Sequence, residues 1–216
     1  MEELQTFHCD LHIHSVLSPC GELEMSPKSI VAAAQKKGLD VISLTDHNSA
    51  GNVRVLEKLA NQANINFVPG LEVTSKEEAH MLCYFPTCDA ARQMDKFVYR
   101  HLPKISNDPD YFGYQVLVDE NDDILGFEEY LLISATQLSA HQIVEKALEL
   151  GGFCVPAHVD RKSYSLLNQL GFIPPDLPVQ CLEISYRTTA EKMCQSFPFL
   201  SAYQFISSSD AHQLED

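Results

Sequence analysis

Apolar and polar positions along this chain follow two alternating periods. Short apolar runs at Phe7–Ile13, Val41–Leu44 and Phe67–Val73 are separated by amphipathic stretches at Ser26–Lys37 and Ala50–Asn64. Strands of a few residues between helices of this length predict βαβ units. Ser26 suits an N-cap, Pro27 the first helical position, and Gly38, after two lysines, a C-terminal stop. His80–Phe85 reads as a further strand and Cys88–His101 as a helix of mixed charge. From Leu102 to Gly126 the pattern weakens: Pro103, Asn107, Pro109 and Gly113 punctuate it, and Gln115–Val118 with Ile124–Phe127 around Glu120–Asp123 reads as a hairpin. This segment has the look of an insertion. Regularity returns with the helix Ser139–Leu150 and the strands Phe153–Ala157, Cys181–Ser185 and Gln204–Ser208. The expectation is an α/β fold with at least seven strands, and 216 residues are few enough for one domain, 1–216.

Composition changes this picture little. Hydrophobic residues make up 45% and charged residues 21%, as in a folded globular protein. No apolar run reaches the roughly 18 residues of a membrane span, and the opening MEELQTFHCD lacks the basic and apolar regions of a signal peptide. A cytoplasmic protein without membrane attachment is expected. Seven cysteines is an odd number for a disulfide framework, and Cys9, Cys83, Cys154 and Cys181 lie in apolar runs where reduced, mostly buried thiols are expected. The formal charge of −15 disfavours broad, sequence-independent attachment to nucleic acid. Bound metal would change that locally, because three divalent ions add about six positive charges at one place.

The histidines carry the chemistry. Six of nine, His12, His14, His47, His80, His158 and His212, lie in or at an edge of an apolar strand-like run, usually beside a carboxylate. Taken singly, such a histidine is more often a satisfied polar residue than a ligand, but six in equivalent positions point to a metal site. In a parallel α/β barrel the C-terminal strand ends converge on one face, which brings ligands distant in sequence together. His12 and His14, two apart, point to the same side of a strand. Glu72 and Asp210 add hard oxygen donors, and a carboxylate can bridge two cations where imidazole cannot. Two or three divalent ions of zinc, manganese or iron suit this donor mixture.

Asp10-Leu11-His12-Ile13-His14-Ser15, Thr45-Asp46-His47-Asn48, Gly70-Leu71-Glu72, His80, Pro156-Ala157-His158 and Ser209-Asp210-Ala211-His212 resemble the ordered motifs of the PHP (polymerase and histidinol phosphatase) domain. The resemblance runs from about Phe7 to His212 and is similar to the branch of small phosphoesterases acting on nucleotides and oligonucleotides. It implies a distorted (β/α)7 barrel with a trinuclear centre at the C-terminal ends of the strands. By the same resemblance His12, His14, Glu72 and Asp210 hold one metal, Glu72, His80 and His158 a second, and His47 and His212 a third. Relatives often complete the third site with an acidic residue or histidine shortly after the first strand. This chain reads Pro19-Cys20-Gly21-Glu22 there; anchoring Ser26-Pro27 to the helix start favours Glu22, with Cys20 as the rival. Asp46 is a candidate orienting carboxylate, and Arg161 a candidate phosphate grip, although a surface arginine in a loop is an equally good reading. His8, His101 and His141 lack motif context.

The expected function is hydrolysis of a phosphate ester, whether a phosphomonoester, a nucleotide or a short single-stranded nucleic acid. Clustered cations bring a bridging water to near-neutral pKa, so hydroxide serves as nucleophile, and attack in line on phosphorus expels an alcohol. Two alternatives remain open: a metal-dependent amidohydrolase, which would want a lysine at a strand end where this chain has only Lys76 and Lys162 in loops, and a non-catalytic metal-binding regulatory module. Oligomeric state is not legible. The last strand has no following helix to cover it, so a C-terminal continuation beyond Asp216 or a covering partner is expected.

Overall fold

Val41–Leu44 and Asn66–Thr74 pair as parallel strands because the amphipathic segment between them folds as a crossover helix, as the spacing predicts. The structure is a computed structural model describing residues 5–216; residues 1–4, part of the opening segment read above for a targeting signal, lie outside the described residues. In chain order the elements are β1 (Cys9–Asp10), α1 (Pro27–Lys37), β2 (Val41–Leu44), α2 (Val53–Gln62), β3 (Asn66–Thr74), β4 (His80–Tyr84) and α3 (Cys88–His101). There follow α4 (Pro109–Phe112), β5 (Val116–Val118), β6 (Ile124–Phe127), α5 (Ala140–Glu149), β7 (Phe153–Pro156), α6 (Leu166–Leu170), β8 (Cys181–Glu183), α7 (Ala190–Ser196), a 3₁₀ turn (Pro198–Ala202) and β9 (Gln204–Ile206).

Local chemistry sets the helix ends. The Ser26 hydroxyl accepts from the Ser29 N–H, Pro27 opens α1, and Gly38, at φ 70°, returns its N–H to the carbonyls of Ala34 and Gln35. At α5, Ser139 and Gln142 form a reciprocal capping box.

The main sheet has the order β1-β2-β3-β4-β7. The first three strands are parallel, but β4 runs antiparallel to both β3 and β7. Here one strand departs from the all-parallel order of a regular barrel. Only the turn at 75–79 joins β3 to β4, closed by a Ser75 N–H to Ala79 carbonyl bond, and five residues cannot make the crossover that a parallel pair needs. The result is a mixed α/β fold around a curled sheet. Strands β8 and β9 form a separate parallel pair. Hydrogen bonds bring this pair to both sheet edges: Val159 N–H to the Glu183 carbonyl (2.8 Å) on one side, His14 N–H to the Ala211 carbonyl (3.0 Å) on the other.

Side-chain alternation divides the sheet into two faces. Leu44, Leu71, Met81 and Cys83 pack outward against Leu56, Met94, Ile143 and Val144 of the surrounding helices, all fully buried. Leu82, Tyr84, Val155 and Ala157 face the inside of the curl, with Leu11, Val68 and Ile206 against them. Tyr84 spans this interior, and its hydroxyl donates to the Leu11 carbonyl at 2.9 Å. The apolar plug closes one end of the curl and leaves the other end to polar side chains. Cys83 and Cys154 are buried as expected, whereas Cys9 is exposed and Cys181 half-buried, because β1 and β8 are short and lie near the seam.

Candidate metal centre

Six chain segments bring side chains that could hold a metal to the open end of the curl. His12 and His14 follow β1 on an extended stretch, with Nε2 atoms 3.2 Å apart. His47 follows β2, Glu72 lies near the end of β3, His158 follows β7, and Asp210 and His212 follow β9. These positions lie at or just beyond C-terminal strand ends. His80 does not: it begins β4, and reaches the same face because that strand runs the opposite way.

Glu72 is the hub. It is fully buried, with Oε1 2.9 Å from His80 Nδ1, 3.3 Å from His12 Nε2 and 3.5 Å from His158 Nε2. Oε2 lies 3.0 Å from His47 Nδ1 and 3.5 Å from His14 Nε2. Asp210 Oδ1 sits 3.1 Å from His12 Nε2 and 3.3 Å from His14 Nε2. Despite these distances, both Glu72 oxygens and the Nδ1 atoms of His47 and His158 make no hydrogen bond. Buried polar atoms normally have partners. Lone-pair atoms crowded together without them fit around cations, whose ligand distances of about 2.0 to 2.2 Å place neighbouring donors this far apart. Three triads meet that condition, with donors within 4.8 Å of one another: His12, His14 and Asp210; His47, Glu72 and His80; His14, His47 and His212. His158 lies outside these triads but close to Glu72.

The electrostatics match. Burial opposes charge on Glu72, yet the charges of His80 and His12 hold its carboxyl well below the usual range. Burial likewise opposes charge on Asp210, and the charge of His12 outweighs it and holds the carboxyl low. His158 (φ 29°) and Asp210 (φ 56°) occupy left-handed backbone conformations, which non-glycine residues keep only where the surroundings enforce them.

The sequence profile of the PHP domain matches residues 10–169. The chain belongs to the PHP domain family. Over 76 residues it is 32% identical to an uncharacterised protein of Methanocaldococcus jannaschii, a stretch covering 32% of this chain and 44% of that protein. A lesion-specific endonuclease Q of Pyrococcus furiosus superposes with a TM-score of 0.70 at 22% identity, covering 96% of this chain and 49% of the endonuclease. This PHP domain therefore spans about half the length of that enzyme. A Bifidobacterium adolescentis protein to which metal-dependent phosphoesterase activity is ascribed superposes at 0.64 with 18% identity, covering 99% of this chain and 91% of its own. These likenesses carry the fold.

In this PHP domain the third triad settles differently from the sequence expectation. Glu22 is exposed, and only its backbone takes part, donating its N–H to the His212 carbonyl at 2.9 Å. Cys20 instead lines the cavity together with His47 and His212. The cause is the turn: Gly21 packs so closely that a Cβ there would stand 2.7 Å from the Ser15 carbonyl oxygen. Within this tight turn Cys20, although exposed, borders the cavity, whereas Glu22 does not. Burial raises the Cys20 thiol, but the neighbouring His212 and His47 bring it down to about 6.

Asp46 does not face the cavity. It accepts from Ser15 N–H (2.7 Å), Ser15 hydroxyl (2.7 Å) and Ser18 hydroxyl (2.8 Å). Ser18, whose proton goes to Asp46, then accepts from His14 Nδ1–H at 2.9 Å, which leaves His14 Nε2 bare for a cation. Asp46 thus acts through Ser18, a residue the motifs did not single out. Glu183 was missed as well. It is buried and bonds His12 Nδ1 with both oxygens, and its signal was a lone carboxylate inside the apolar run Cys181-Leu182-Glu183-Ile184.

Arg161 stands where a phosphate grip would be useful. It lines an open cavity of about 920 Å³ together with Lys162, Tyr164, Ser185 and Arg187, and its Nη1 lies 2.6 Å from Asp210 Oδ2. The Tyr164 ring stacks on His80 at 4.7 Å. His8 is exposed, His101 bonds the Phe97 carbonyl within α3, and His141 pairs with Asp176; none lines this cavity.

Proposed function

We propose that this PHP domain is a metal-dependent hydrolase of phosphate esters, with a phosphomonoester, nucleotide or the end of a short single-stranded nucleic acid as substrate. The observation that carries the reading is Glu72: both its carboxylate oxygens are buried, unbonded and ringed by five histidines. Bound divalent cations would supply a water of lowered pKa and neutralise phosphoryl charge. We read His12, His14, Glu72 and Asp210 as holding one ion, Glu72, His80 and His158 a second, and His47, His212 and Cys20 a third, with Cys20 in the place first expected for Glu22.

The chain's own residues bind and orient the substrate. Arg161 offers a planar pair of donors to phosphate oxygens, and Lys162 and Arg187 add cations along the same rim. On a chain of net charge −15 this rim is a local positive feature, which favours a compact or terminal phosphate over a long polyanion. The exposed face of Tyr164 is a stacking surface for a base or another planar group. We read the curled sheet with its β8–β9 pair as a distorted (β/α)7 barrel. An amidohydrolase reading is supported less, since Lys162 sits in the loop after β7 rather than at a strand end.

The test is hydrolysis of p-nitrophenyl phosphate and bis(p-nitrophenyl) phosphate by chelator-stripped protein reconstituted with manganese or zinc. Metal-dependent release of nitrophenolate is expected. Cleavage of a nitroanilide with no turnover of either phosphate ester would overturn the reading.

A further inference from the structure

Glu183 is a buried carboxylate, 2% exposed, at the end of β8, and no motif of the family resemblance includes it. Its oxygens lie 3.1 and 3.0 Å from His12 Nδ1, and Oε2 also accepts the backbone N–H of His158 at 3.0 Å. A carboxylate has no proton to donate when ionised, so His12 Nδ1 must carry the hydrogen of that bond. His12 Nε2 then faces Glu72 and Asp210 at 3.3 and 3.1 Å. The second bond falls on His158, the residue at φ 29°, whose backbone needs support to stay in that conformation. One side chain thus orients one histidine by its ring and a second by its main chain.

We infer that Glu183 is a positioning residue that fixes His12 Nε2 and the His158 imidazole toward the cations; this rests on the reading of His12 as a metal ligand. Packing alone does not explain it. A buried carboxylate is costly unless it is hydrogen-bonded, and an apolar residue would fill the same space without that cost. Both partners of Glu183 belong to the proposed ligand set, and no lysine or arginine among the described residues is paired with it. A carboxylate is also required, because a glutamine has one accepting end. With its oxygen in the Oε2 place a glutamine could still accept both N–H groups, but it would set its NH₂ against the His12 Nδ1–H and bring no charge to hold that proton.

Three variants of the full chain decide the matter: Glu183→Gln, Glu183→Asp and His12→Ala. Zinc affinity is measured by chelator competition, and the His12 Nδ1–H is followed by proton NMR with nitrogen-15 labelling. In the parent protein that proton is expected far downfield and slow to exchange. Glu183→Gln should weaken zinc binding about 10- to 100-fold, as loss of a partner behind a ligand commonly does, and should move the Nδ1–H signal upfield. Glu183→Asp keeps the charge and should fall between the two. Unchanged affinity and an unchanged Nδ1–H signal in Glu183→Gln, in a protein where His12→Ala loses zinc, would overturn the inference. Should His12→Ala bind zinc as the parent does, the ligand assignment itself falls. The Nδ1–H signal then still decides whether Glu183 orients His12, because the parent carries that proton with or without metal.

Discussion

Arg161 places Nη1 2.6 Å from Asp210 Oδ2, so a guanidinium already neutralises the carboxylate that a divalent ion would share. A cation held by Asp210 would compete with Arg161 for that carboxylate, while both would attract the phosphate of the proposed substrate. Arg161→Ala should therefore act in opposite directions on two measurements. Zinc affinity by chelator competition should be equal to or tighter than in the parent, and kcat/KM on a phosphate ester should fall about 10- to 100-fold, mostly through KM. Weaker metal binding in Arg161→Ala would refute the competition.

Glu72→Gln keeps the shape of the hub and removes its charge. Hydrolysis should drop at least about a hundredfold and bound metal should fall, with circular dichroism unchanged. His101→Ala is the control: its ring bonds only the Phe97 carbonyl one helical turn back, and activity should be almost untouched. Near-parent turnover by a fully metallated Glu72→Gln would exclude the shared-carboxylate centre.

Cys20 and Glu22 can be separated by colour. Cobalt bound to a thiolate absorbs strongly in the near ultraviolet, whereas nitrogen and oxygen ligands do not give that band. Cobalt-loaded protein should show it, Cys20→Ser should lose it with about one metal equivalent, and Glu22→Ala should retain both. A band or a metal equivalent lost in Glu22→Ala alone would restore the acidic ligand.

Metal uptake should be coupled to proton release. Burial lowers the His47 pKa, but the bond with Cys20 and the charge of Glu72 outweigh it and raise it to about 10. His80 is brought down to about 4, chiefly by burial. In metal-free protein at pH 7, His47 thus holds a proton that a cation must displace, while His80 is already neutral. Below about pH 10 proton and metal compete for His47, so affinity should rise with pH from 7 to 9, by up to about tenfold per unit for each displaced proton. Titration calorimetry at pH 7 in buffers of different ionisation enthalpy measures the release directly, and a flat affinity across that range would contradict it.

Much of the fold was legible because its signals are local. The N-cap at Ser26, the stop at Gly38, the limits of Cys88–His101 and the hairpin partners Val116–Val118 and Ile124–Phe127 follow from a few neighbouring residues. Helices α6 and α7 were not anticipated, since five and seven residues are too short for a helical period to emerge. The strand expected at Phe7–Ile13 is cut to Cys9–Asp10; beyond it the ladder is irregular, with Ile13 bonding Thr45 on one side and bridging Ala211 on the other.

The sequence by itself determined which side chains can hold metal: the histidines, Glu72 and Asp210 stand in ordered motifs at the edges of apolar runs, and donor type is a property of each residue alone. Only the tertiary structure decided how they are held. Strand direction is set by a turn too short for a crossover, which puts His80 at a strand start; the turn at Gly21 leaves Cys20, and not Glu22, on the cavity rim. The partners behind the ligands, Glu183 to His12 and Ser18 with Asp46 to His14, lie 171 residues away in the first case and 4 and 32 in the second. Hydrogen bonds of that kind depend on where the folded chain brings an acceptor, and residue type and spacing do not encode that distance.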